Sequence, residues 1–91
     1  MAEVPVNVDK RLKRIKRKPG SVSFEDLRTV CDHFFERRPG KGSHLAVYKM
    51  PWRGDPRINI QRGRGGEAKP YQVRQALKAI DRLIDETETS N

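Results

Sequence analysis

The chain has a single cysteine, Cys31, two histidines and no acidic cluster at ligand spacing. One thiol excludes an internal disulfide and any cysteine-built zinc site, and it fits a reducing cytoplasm. No apolar run approaches the ~20 residues that a membrane-spanning helix needs. The opening Met-Ala-Glu-Val-Pro-Val lacks the apolar core of a secretion signal, so residence in the cytoplasm is expected. Glu25, Asp26, Asp32, Asp55 and Glu67 are scattered, and His33 and His44 have no third partner in the sequence. That pattern disfavours a metal nuclease, and no metal or other cofactor is expected.

What the chain has in excess is positive charge. Twenty Lys/Arg against 12 Asp/Glu give a formal +8 over 91 residues, with a pI near 10.2. A balance of this kind selects polyanionic partners, nucleic acid above all. Residues 10–18 hold seven Lys/Arg and no acid; residues 37–69 hold nine Lys/Arg against Asp55 and Glu67. Hydrophobic residues make up 34%, enough for one small core but not for two.

Val8, Leu12 and Ile15 recur at helical spacing, with Asp9 as a starting cap and Pro19-Gly20 as a stop, which predicts a short basic helix or a solvated arm over residues 1–20. Ser23 is a good N-cap for a helix that carries Glu25 and Asp26 in its first turn and Leu27, Val30, Cys31 and Phe34 along one side. Cys31 falls in that stripe and reads as a core residue; His33 reads as exposed. Three short strands follow: up to Arg38, about Ser43 to Met50, and Arg57 to Gln61. In the second, Leu45 and Val47 are expected to face the core, which puts His44, Ala46 and Tyr48 on the open side. Ile58 and Ile60 alternate inward around Asn59 in the third. Pro70 suits the first turn of a last helix striped by Val73, Ala76, Leu77, Ile80, Leu83 and Ile84 to about Asp85, and residues 87–91 are expected to be a flexible tail.

The result is an α+β fold in the order α-β-β-β-α: a three-stranded antiparallel sheet with two helices on one face, plus the basic N-terminal arm or short helix.

Four stretches carry a family resemblance: Val22-Ser23-Phe24-Glu25-Asp26-Leu27, Lys41-Gly42-Ser43-His44, Ile58-Asn59-Ile60-Gln61, and Ala68-Lys69-Pro70-Tyr71-Gln72-Val73. Together they span roughly residues 21–85, and in this order they resemble the HicA toxins of bacterial and archaeal toxin-antitoxin pairs. The resemblance implies a fold like a double-stranded-RNA-binding domain over residues 21–86. It also implies an endoribonuclease that cleaves mRNA and blocks translation, with a HicB-like antitoxin as neutralising partner. The family's functional histidine falls on His44. Leu45 stands where family members often carry a second histidine, and neither the basic segment before residue 20 nor the long turn around Trp52 belongs to the pattern.

The residues themselves suit such chemistry. RNA carries its own nucleophile, the 2'-hydroxyl, so a metal-independent cut needs a proton carrier and a phosphate holder. His44 is the side chain that exchanges protons near neutral pH. Gly42 allows close backbone approach, Ser43 offers a hydroxyl and an amide, and Lys41 can offset charge on the phosphorane. Arg37, Arg38, Lys49, Arg62, Arg64, Lys69, Tyr71, Gln72 and Arg74 are candidate RNA contacts, mostly to the backbone. Tyr48 and Trp52 are candidate stacking platforms or, alternatively, packing residues. A noncatalytic RNA-binding module of the same fold is the alternative reading.

Overall fold

The computed structural model describes residues 4–38, 45–54 and 56–89, with side chains through residue 87. The order is α1 (Val6–Arg17), α2 (Phe24–Phe34), β1 (Glu36–Arg37), β2 (Leu45–Lys49), β3 (Arg57–Gln61), a 3-10 turn (Arg64–Gly66) and α3 (Pro70–Thr89). This is an α+β domain with three helices and a three-stranded antiparallel sheet, ordered β1-β2-β3 as the short connections require.

α1 starts earlier than Asp9, directly after Pro5. Asp9 sits in its first turn and pairs with Lys13 at 3.1 Å. The helix is no arm: Val8, Leu12 and Ile15 are buried in the same core as α2 and the sheet. Its cations make contacts of their own, since Arg11 and Arg14 both bind the Asp26 carboxylate (3.2 and 3.1 Å) and Lys16 reaches Asp81 of α3 at 3.2 Å. Apolar burial holds α1, and the exposed ion pairs set its orientation more than its stability.

α2 begins as the sequence predicts, with the Ser23 hydroxyl accepting from the Asp26 N–H at 3.1 Å. It buries Phe24, Leu27, Val30 and Cys31. Burial pushes the Cys31 thiol up to about 12, with neighbouring Asp32 adding to the effect. α3 buries Val73, Ala76 and Ile80 against the sheet and runs to Thr89, past the helix end expected near Asp85. No helix among the described residues is long and apolar enough to cross a membrane.

The strand faces are the main correction. In β2 it is Ala46 and Tyr48 that are buried, while Leu45 is exposed and Val47 half-buried. The pairing explains this. Ala46 lies opposite Ile60 and Tyr48 opposite Ile58, and directly opposed residues share a face. With Ile58 and Ile60 on the core, Ala46 and Tyr48 follow. The open face carries Leu45, Val47 and Lys49 from β2 beside Gln61, Asn59 and Arg57 from β3.

Candidate nucleic-acid interface

Three separate stretches meet at the end of the sheet where β2 starts and β3 finishes. Leu45 pairs with Gln61, the last residue of β3. The next segment folds back, with Arg62 bridging Ala68 and Ser23 bridging Glu67. The Ala68 N–H donates to the Val22 carbonyl at 2.7 Å, and the Ser21 hydroxyl to Glu67 Oε2 at 3.3 Å. These bonds dock the start of α3 beside the start of α2. The turn itself requires glycine: Gly65 and Gly66 have φ of 69° and 78°, and a Cβ on Gly63 would stand 2.9 Å from the Glu67 carbonyl oxygen.

Gln72 clamps the assembly. It is 4% exposed, its Oε1 accepts the Gln61 N–H at 2.8 Å, and its Nε2 donates to the Tyr71 hydroxyl at 3.3 Å. This corrects Gln72 as an RNA contact, because its amide is already used to satisfy the last strand residue. Tyr71 beside it is 50% exposed. Lys69 accepts from the N–H groups of Gln72 and Val73 through its carbonyl and leaves its side chain in solvent. Arg62, Arg64 and Lys69 are thus cations on one exposed loop, with Tyr71 and Arg74 in the adjoining first turns of α3. A helix start of this kind favours anions.

Other candidates lie elsewhere. Lys49 is exposed at the far end of β2, opposite Arg57 and Glu36. Arg37 stands on the helix side of β1, its Nε 3.5 Å from Asp32 Oδ1. Arg38 donates its N–H to the Val47 carbonyl at 2.8 Å. Tyr48 is corrected as a base-stacking residue: it is fully buried, and its hydroxyl donates to Asp32 Oδ1 at 2.7 Å, with the Arg28 carbonyl oxygen at 3.3 Å. Burial first, and then the bond to Asp32, raises its pKa well above the ordinary tyrosine value. His44, with Lys41, Gly42 and Ser43, lies outside the described residues.

A second polar cluster at the other end of the sheet went largely unread in the sequence. Glu86 accepts from Trp52 Nε1 at 2.8 Å and from Arg82 Nε at 3.1 Å, and the Arg82 guanidinium lies 4.1 Å from the centre of the Trp52 ring. The Arg82/Glu86 spacing of four was a visible signal; their shared partner 30 or more residues upstream was not. Among the described residues, no three His, Cys, Asp or Glu side chains gather as a metal site. No protein-family model, no curated protein and no solved structure matches this chain.

Proposed function

We propose that the chain is a metal-independent endoribonuclease of the HicA toxin type, acting on mRNA in the cytoplasm and neutralised by a HicB-like antitoxin. The observation that carries this reading is the meeting of motif stretches that lie far apart in the chain. The stretch from Val22, the stretch ending at Gln61 and the stretch from Ala68 are joined by the Ala68–Val22 and Gln61–Gln72 hydrogen bonds. Leu45, which follows His44 in the sequence, pairs into the same cluster. A sheet with helices on one side and an open face on the other is also what a fold like a double-stranded-RNA-binding domain would supply.

In this reading Arg62, Arg64 and Lys69 hold the phosphate backbone and Tyr71 offers a ring to an unpaired base. His44 moves the proton of the 2'-hydroxyl or of the leaving oxygen. Lys41, Gly42 and Ser43 steady the phosphate. With Leu45 in place of a second histidine, one of the two proton transfers falls to water, and the enzyme is slow. Acidic groups on the antitoxin would complement the basic loop and exclude RNA from it.

The test is cleavage of a labelled single-stranded RNA in chelator by the unaltered chain and by His44→Ala. Cutting that vanishes in the variant while binding persists supports the nuclease. Binding without cutting in either protein favours the noncatalytic RNA-binding module, and cutting that survives the substitution removes His44 from the chemistry.

A further inference from the structure

We propose that single-stranded RNA follows α3 from Tyr71 to Trp52, where a base stacks on the outer plane of the Arg82 guanidinium. This rests on RNA being the partner, and it names the form of RNA and a contact surface that the motif residues do not include.

A groove of roughly 370 Å³ opens between the end of β2, β3 and α3. Met50, Ile58 and Ala79 line it with apolar surface, Trp52 forms one wall, and Lys78 supplies positive charge. The platform inside it is braced by hydrogen bonds. One carboxylate, Glu86, takes both the indole N–H and the Arg82 Nε–H, so the guanidinium is fixed over the ring at 4.1 Å. The guanidinium carbon lies 4.1 Å from the indole centre and the side chain is still 57% exposed, so the cation meets solvent as well as the ring. A guanidinium plane is a stacking surface for an unpaired base. Glu86 cancels the charge of Arg82, so the platform offers a surface more than a charge, and Lys78 supplies the attraction to phosphate.

The groove does not stand alone. Tyr71, Gln75, Lys78 and Arg82 recur at steps of four, three and four along α3, which places them on one side of the helix. From Tyr71 to Arg82 that side runs about 16 Å, the length of about five stacked nucleotides of a single strand. Ring and plane at the two ends with a cation between them is the arrangement of a single-strand track, in which stacking gives affinity without sequence choice. A duplex keeps its bases paired and cannot use the platform. An acidic peptide would be drawn to Lys78 but has no base to lay on Arg82.

The measurement is binding of a labelled 12-nucleotide single strand to the full chain carrying His44→Ala, so that the RNA stays intact, compared with the same chain bearing Lys78→Glu or Trp52→Ala. Circular dichroism checks that each variant is folded. Because Lys78 is exposed, Lys78→Glu keeps the test informative if removing the indole disturbs packing. We expect Lys78→Glu to weaken the single strand about tenfold, Trp52→Ala to weaken it by a similar factor, and a duplex of the same sequence to compete poorly. The fluorescence of Trp52, the one tryptophan in the chain, is expected to change when the strand binds. If Lys78→Glu leaves RNA affinity unchanged while Arg64→Ala lowers it, the track along α3 is wrong and the RNA reading stands. If Lys78→Glu loses only the binding of a poly-glutamate peptide, the groove belongs to an acidic protein and the proposal is overturned. If the His44→Ala chain binds no RNA of either form, the proposed function falls and this inference falls with it.

Discussion

Gln72 Oε1 accepts the backbone N–H of Gln61 across 2.8 Å, so a side chain of α3 takes the place of a further strand at the end of β3. Replacing Gln72 by leucine keeps the bulk and deletes the acceptor, leaving the Gln61 N–H without a partner. Stability is expected to fall by about 1–3 kcal/mol, read as a lower urea midpoint with unchanged slope. Under the proposed function, affinity for RNA should drop further than stability accounts for, because Tyr71 loses the bond from Gln72 that holds it beside β3.

Tyr48→Phe separates packing from recognition. The ring stays in the core and the bond to Asp32 is lost, at a cost of about 1 kcal/mol, with RNA affinity unchanged. The pH profile carries a second signature. Folding raises the hydroxyl pKa, so its contribution is fully present below the unfolded value near 10 and is lost as pH rises beyond it. Urea melts above pH 10 should therefore fall off less steeply in the phenylalanine variant.

Ile15→Ala is expected to destabilise the whole domain by about 2–5 kcal/mol in a single cooperative urea transition, because Ile15 is 1% exposed in the shared core. A dispensable basic arm would give a change near zero.

Glu86 is held below the usual carboxylate range by the hydrogen bonds from Trp52 and then from Arg82. Its contribution is present above the ordinary value and lost as pH falls through the folded one. Trp52 fluorescence should therefore change with a midpoint below the ordinary glutamate value, and Glu86→Gln should abolish that transition.

Cys31 is buried and its thiol lies near 12, so a thiol reagent at pH 8 should leave the native protein unmodified. Labelling should become complete in urea.

The helices were legible because their apolar positions recur over several turns: Ser23 capped α2, and Val73, Ala76 and Ile80 lined α3 as their spacing implied. β2 was not. In Leu45-Ala46-Val47-Tyr48 both alternating sets are apolar, so periodicity cannot choose the buried one. The choice is made by register with Ile58 and Ile60, which depends on a turn whose length does not reveal its pairing. Nor could the sequence show that Gln72, a polar residue next to Val73, would be inward with a strand amide to bind. The basic loop of Arg62, Arg64 and Lys69 was visible as composition, and its fastening to Val22 and Ser21 was not.

α2 and α3 begin together at the Ser23–Glu67 and Arg62–Ala68 bridges, and Trp52 meets both Phe35 at the end of α2 and Arg82 in the second half of α3. Neighbouring helices that run antiparallel cancel much of each other's field; these two add. Both positive helix ends therefore lie beside the loop cations, so an approaching polyanion is drawn to the loop first. Such alignment raises the rate of productive encounter, and salt erodes that rate before it erodes the complex.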